Sequence, residues 1–132
     1  MKIRLNPSRF APSLQSVLRI AAAAVFVPHG LQKLLGMFGS PGTAPMLSQM
    51  WVAGVLEVFG GGLMLLGLFT RPVAFVLSGE MAVAYYQAHF PHGPWPILNG
   101  GELAALFCFI WLFFAAAGPG PWSVDAIVRK RR

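Results

Sequence analysis

Residues 46–69 read MLSQMWVAGVLEVFGGGLMLLGLF, with Glu57 the one ionisable side chain among them. A helix rising about 1.5 Å per residue needs about 20 largely apolar residues to cross roughly 30 Å of hydrocarbon, and this run supplies them. Gly54, Gly60, Gly61, Gly62 and Gly67 crowd the same stretch. Lipid tails are as apolar as leucine, so membrane helices associate by close packing, and small residues let their backbones approach. Gly54 and Gly61 are therefore read as packing positions, as is Gly101, which forms a small-xxx-small pair with Ala105.

Working outward, three further apolar runs share this character. Spans are expected at about 13–35, 46–69, 72–89 and 99–117. Breaks fall at 36–45, at Thr70-Arg71-Pro72, at FPHGPWPIL (90–98) and at GPGP (118–121). Three prolines within 90–98 cannot sustain a helix. Short connections make consecutive spans antiparallel neighbours, so residues 1–132 are expected to form one all-α domain, an integral-membrane up-down-up-down four-helix bundle. Lys2, Arg4 and Arg9 open the chain, Arg71 lies in the second break, and Arg129, Lys130, Arg131 and Arg132 close it, whereas 36–45 and 90–98 hold no Lys or Arg. The positive-inside rule then puts both termini in the cytoplasm. A cleaved signal peptide is the rival for the first run, but Arg19, Pro28, His29 and Lys33 interrupt it and no small-residue cleavage site follows.

Composition agrees. The 132 residues are 56% hydrophobic and 11% charged, against about 25% charged in soluble domains, which excludes a soluble enzyme and a disordered chain. The net charge of +6 sits at the flanks, where it meets lipid headgroups rather than nucleic acid. Cys108 is the single cysteine, so no intramolecular disulfide or dithiol can form. Neither a GxGxxG nor a Walker loop is present, and no flavin, nucleotide or iron-sulfur site is evident. No metal site is expected, because HxxxH and ExxH pairs are missing from the spans; a haem between His29 and His89 is the weaker alternative.

Function is carried by polar residues inside the apolar runs. A charge at mid-bilayer costs about 2.5–3.5 kcal/mol on insertion scales, so such groups face the interior and pair, or carry a proton. Helix rise puts His29, Lys33 and Glu102 in the outer third, with Glu57 and Glu80 near mid-depth. These residues, with Asn99, are expected to form one outward-opening pocket that binds a ligand or handles protons. Lys33 faces three glutamates there, which leaves carboxyl groups without a cation and suited to proton exchange or to hydrogen-bonding a carbonyl ligand. Interhelical glue is the competing reading. Pro28 is expected to kink the first span. Arg19 is read as a structural residue outside the pocket, with snorkelling to the cytoplasmic headgroups open to it.

Four blocks, PHGLQKLLGMFG (28–39), GVLEVFGGGLMLLGLFTR (54–71), NGGELAALF (99–107) and GPGPWSVD (118–125), occur in an order that resembles the DoxX family of small four-helix bacterial and archaeal membrane proteins. The likeness covers roughly Arg19 to Asp125. The family-like polar positions are Gly30, Lys33, Glu57, Gly61, Arg71, Asn99, Glu102 and Asp125, with Ser123 and Asp125 capping a turn at the cytoplasmic edge. Glu80 and His29 match no family motif and rest on the burial argument. The resemblance implies a multi-pass protein of a prokaryotic cytoplasmic (inner) membrane, associated with oxidoreductases and, in the founding case, with quinone-linked oxidation of a sulfur compound. It implies a quinone ligand here, with Lys33 and His29 donating to its carbonyls, Glu57 or Glu102 exchanging protons, and an electron-donor protein subunit or a homo-oligomer as partner. The lone cysteine sets sulfur exchange aside. A non-catalytic accessory or assembly subunit is the alternative, and a small-solute or proton transporter a more distant one.

Overall fold

A computed structural model describes residues 6–132, and the expected Lys2 and Arg4 flank lies outside the described residues. The described chain is helical, with no strand among its residues. A 3₁₀ turn, Pro7–Phe10, leads into α1 (Ala11–Leu35), which runs through Pro28 and stops at Gly36 in the left-handed conformation. Ser48 caps α2 (Gln49–Val55) by accepting from the Trp51 N–H at 3.2 Å. A π-helical turn, Leu56–Gly60, joins α2 to α3 (Gly61–Leu66). After Gly67, α4 (Thr70–Ala84) passes into a second π turn, Tyr85–His89, and a 3₁₀ turn, Phe90–His92. The short α5 (Pro96–Asn99), α6 (Glu102–Ala117) and α7 (Val124–Lys130) complete the chain.

Contacts fix how the rods lie. Gly30 meets Gly54 and Val58, whereas Gly61 meets Phe26 and Val27, so rising numbers on α1 face falling numbers on α2 and α3. An added Cβ at Gly30 would stand 2.7 Å from the Gly54 carbonyl oxygen and 2.8 Å from the Val58 nitrogen, both backbone atoms. At Gly61 the obstacle is Val27 Cγ2, at 2.7 Å, and at Gly54 it is Lys33 Cβ, at 3.0 Å. The α4 and α6 pair is antiparallel too: Arg71 reaches the Ala116 carbonyl, Ser78 donates to the Cys108 carbonyl at 2.7 Å, and Gly101 lies against the Tyr85 ring. Between the pairs, Phe26, Phe107, Trp111 and Phe114 build an aromatic core with Met64 and Leu77. Edge-on and offset ring contacts of this kind add about 0.5–1.5 kcal/mol each beyond their burial.

The surface is as apolar as the core. Phe59, Phe75 and Phe109 are each about two-thirds exposed, an arrangement that suits hydrocarbon rather than water. Two stretches, Pro7–Leu35 and Gln49–Leu66, are long and apolar enough to cross a bilayer; Glu102–Ala117 is apolar but shorter.

One end of the molecule is closed by polar bonds. Arg19 is fully buried and does not snorkel. Its Nε donates to the Met64 carbonyl at 2.8 Å, Nη2 to that of Trp122 at 2.6 Å, and Nη1 to that of Pro119. The physical reason is supply: α3 ends and the GPGPW turn passes beside Arg19, so carbonyls left over from both satisfy a planar fork of donors that water would otherwise have to meet. Gly67 makes room, because its φ of 69° and the nearness of Ser123 and Arg19 exclude a side chain. Ser123 caps α7 by accepting from Ala126 N–H. Asp125 caps a different helix, its two carboxylate oxygens accepting from the N–H groups of Phe69 and Thr70, each at 2.9 Å. Phe69 is held there at a left-handed φ of 51°, uncommon outside glycine. Burial works against the Asp125 charge, yet these backbone donors and nearby Arg129 outweigh it and hold the carboxyl below the usual carboxylate range.

Helix ends differ from the expected spans wherever capping decides them. The first helix starts at Ala11 rather than 13, and the second runs Gln49–Leu66 rather than 46–69 because Ser48 caps it and Gly67 ends it. The third starts at Thr70 because Asp125 caps it, and its last turn to His89 is π-helical. The fourth starts at Glu102 rather than 99, because Gly100 and Gly101 separate it from α5.

Two outcomes follow. Gly30→Ala should lower stability by about 1–3 kcal/mol, since backbone cannot move aside, while Gly62→Ala, with nothing within 4 Å, should be neutral; thermal unfolding in detergent reads both. For Asp125 a depressed carboxyl stabilises the fold above its unfolded titration range and loses that contribution as pH falls through the folded value. The Tm advantage of wild type over Asp125→Asn should therefore be full at pH 7 and fade below about pH 4.

Candidate functional site

Opposite the Arg19 end lies a cavity of about 290 Å³. Phe26, His29 and Lys33 from α1 form one wall, Glu57 from the first π turn a second, Met81, Ala84 and His89 a third, and Gly100, Leu103, Ala104 and Phe107 the fourth. Phe26, His29 and Lys33 share a face by their spacing of three and four residues. Both π turns contribute: one carries Glu57, the other His89. A π turn adds one residue to a helix and shifts the face that follows, and such turns are frequent at functional sites.

The polar centre is an ion pair. Lys33 Nζ lies 2.6 Å from Glu57 Oε2, with the Lys33 side chain 23% exposed and the Glu57 side chain 4%. Lys33 also donates to the carbonyl of His29 at 3.5 Å. The close approach at Gly54, against Lys33 Cβ, is what lets this long side chain reach across to α2's continuation. Glu80, one turn before Ala84, has both carboxylate oxygens buried and without a donor, and its charged neighbours are Glu57 and Lys33.

Beside the cavity, Asn99 closes the loop that ends it. Its amide donates to the Tyr85 hydroxyl at 3.1 Å and to the Gly93 carbonyl at 2.8 Å, and its oxygen accepts from Gly101 N–H at 2.8 Å. His89 Nδ1 meets the Asn99 carbonyl at 3.1 Å. A second, more open cleft of about 430 Å³ lies under the loop after α1, lined by Gln32, Lys33, Ser40, Gly42, Thr43 and Met50 among others.

The six pocket residues expected from sequence thus separate. His29, Lys33 and Glu57 line the cavity, and Glu80 stands behind Glu57. Asn99 is buried but spends its groups on the loop, and Glu102 is exposed at the start of α6 and lines neither space. Glu102 turns outward because the fourth helix begins there, three residues later than expected, which leaves its first turn at the rim. Tyr85 and His89 were not read as a pair, although an aromatic and an imidazole one turn apart before a proline-rich break give a visible signal. An ammonium, a carboxylate and two imidazoles around an apolar chamber can hydrogen-bond a small polar ligand and move protons.

The fold and this chamber describe a helical membrane protein with a polar centre set between its helices. The chain belongs to the DoxX family, whose profile matches residues 14–90. A Haemophilus influenzae protein named "Uncharacterized protein" is 42% identical, over 91% of this chain and 94% of its own length. "Inner membrane protein YqjF" of Escherichia coli is 30% identical, over 87% and 92%. "Putative oxidoreductase CatD" of Bacillus subtilis is 28% identical, over 86% of each. No solved structure matches the chain.

Removing one partner of the ion pair should hurt more than removing both. Lys33→Met leaves Glu57 buried without a cation, a loss on the order of 3 kcal/mol, and adding Glu57→Leu should restore most of it. Thermal unfolding of the two single variants and the double variant gives the coupling directly.

Proposed function

We propose that this protein crosses a bacterial inner membrane four times, up-down-up-down with both termini cytoplasmic, and holds a quinone head group in the chamber as a component of a membrane oxidoreductase. The topology is supported by the antiparallel contacts and by the basic residues. Arg9, Arg71 and Arg129–Arg132 gather at the end that Arg19 closes, while the loops beside the chamber hold no Lys or Arg.

The observation that carries the ligand reading is the chamber of about 290 Å³, open on one side, with Lys33 and Glu57 in its wall. Ligand pockets run from about 300 to 1,000 Å³, so this one suits a single ring rather than a large cofactor. Phe26, Met81, Leu103 and Phe107 give the apolar faces a ring needs. A quinone, when bound, supplies a carbonyl pair that takes up two electrons and two protons. Lys33 Nζ has donors beyond the one given to Glu57 and orients a carbonyl oxygen, as does His29. Glu57 Oε2 accepts or returns a proton at the chamber wall, a role that exposed Glu102 does not share. The packed aromatic floor excludes water from the cytoplasmic half. Electrons come from a partner protein, and the oxidoreductase role itself is in keeping with the name of the Bacillus subtilis relative.

Trp111 stacks on Phe107 at 5.8 Å between ring centroids, and Phe107 lines the chamber. A short-chain quinone added to the detergent-purified protein should quench tryptophan fluorescence saturably. Lys33→Met and the chamber-filling Ala104→Leu should each weaken that binding at least tenfold. Quenching that is linear in quinone and equal in all three proteins would sink the reading.

A further inference from the structure

The chain has four acidic side chains in all, Glu57, Glu80, Glu102 and Asp125. Asp125 is committed to the α4 cap and Glu102 is exposed. The remaining two lie together in the interior beside one cation, Lys33, whose ammonium is already paired with Glu57. The other buried cation, Arg19, is taken up by three carbonyls at the far end. Glu80 therefore has two enclosed oxygens, no donor and a carboxylate for a neighbour. Two carboxyl groups facing one ammonium reach neutrality with a single proton, and that proton turns the contact between them into a hydrogen bond.

Lys33 also connects this pair to the outside. It lines both the chamber and the cleft under the loop 36–48, and the Ala44 N–H donates to its carbonyl at 2.7 Å, tying that loop over it. We propose that Glu57 and Glu80 share one exchangeable proton, and that it enters from the outer aqueous phase through the cleft by way of Lys33. The inference rests on the membrane orientation above but not on the identity of the ligand. In the inward step a proton leaves Lys33 Nζ for Glu57, Lys33 regains one from water in the cleft, and Glu80 keeps the surplus until the chamber calls for it. One positive charge moves inward, and only O–H and N–H bonds are made and broken. The other titratable groups on the surrounding elements are Arg19 and His29 on α1, Arg71 on α4, Tyr85, Tyr86 and His89 in the second π turn, and Cys108 and Glu102 on α6.

Infrared spectroscopy of the full-length protein in lipid nanodiscs tests this, because only four carboxyl side chains contribute. At neutral pH the wild type should show one carboxylic-acid C=O band that shifts in D₂O. Glu80→Gln and Glu57→Gln should each abolish it, the second because Glu80 then pairs with Lys33, and Glu102→Gln should leave it. Lys33→Met should about double it. A wild type without the band, or a band that survives either of the two glutamine variants, overturns the shared proton, and both variants are near-isosteric should Lys33→Met not fold. Thr43→Trp, which fills the cleft, should slow the deuterium shift at least tenfold; an unchanged rate overturns the route. A band that behaves as stated in a protein that binds no quinone leaves this site standing and removes only the ligand.

Discussion

Two backbones touching at Gly30 and Gly54 set the geometry on which the rest depends. Without a side chain at either position, α1 and α2 come close enough for one antiparallel register to persist from Lys33 down to Phe26. That register carries Lys33 over Gly54 and within 2.6 Å of Glu57. It also brings Phe26 against Gly61 and into contact with Phe107 and Trp111, so the chamber's floor and its ion pair are fixed by the same contact. In hydrocarbon this route is available because helices gain little from hiding apolar surface and much from close van der Waals packing.

The two ends of the molecule use polar groups differently. At the Arg19 end both interior charges are fully met and only the Thr70 hydroxyl lacks a partner among the described residues: Arg19 takes three carbonyls, Asp125 two amides, and Ser16 Oγ accepts from Trp122 N–H at 3.1 Å. The other end keeps unspent capacity, in Glu80's oxygens and in the lysine shared between chamber and cleft. Evenly satisfied networks hold a fold in place, whereas partly satisfied ones cost stability and tend to mark where chemistry happens.

Much of this was legible in the residues. Apolar length gave the helical rods, glycine crowding gave the close contacts, and the rule that an intramembrane charge needs a partner brought His29, Lys33 and Glu57 to one place. The family resemblance drawn from four short blocks agrees with the matched profile and with the named relatives. What escaped was rotation and end placement. The two π turns have no marker in composition, and each changes which face follows it. Glu102 falls in the expected pocket because a fourth helix begun at Asn99 turns it inward, and Gly101, a packing position by its spacing, instead forms a break together with Gly100. A structural role for Arg19 is legible in the sequence, but its partners are not, because carbonyls released by a turn 100 residues away are invisible to local pattern.

Those distant carbonyls bear on how the protein is made. Arg19 is synthesised about 100 residues ahead of two of its three acceptors, Pro119 and Trp122. Synthesis proceeds at about 5–20 residues per second, so for several seconds the first helix must hold an arginine whose final partners do not exist. Biogenesis thus includes a locking event, in which the GPGPW turn closes on a guanidinium that entered the bilayer, or waited at its edge, unsatisfied. A nascent chain cut short of that turn would carry a membrane arginine with only the Met64 carbonyl to offset it, which gives cellular quality control a ready means of telling chains that have closed this turn from those that have not.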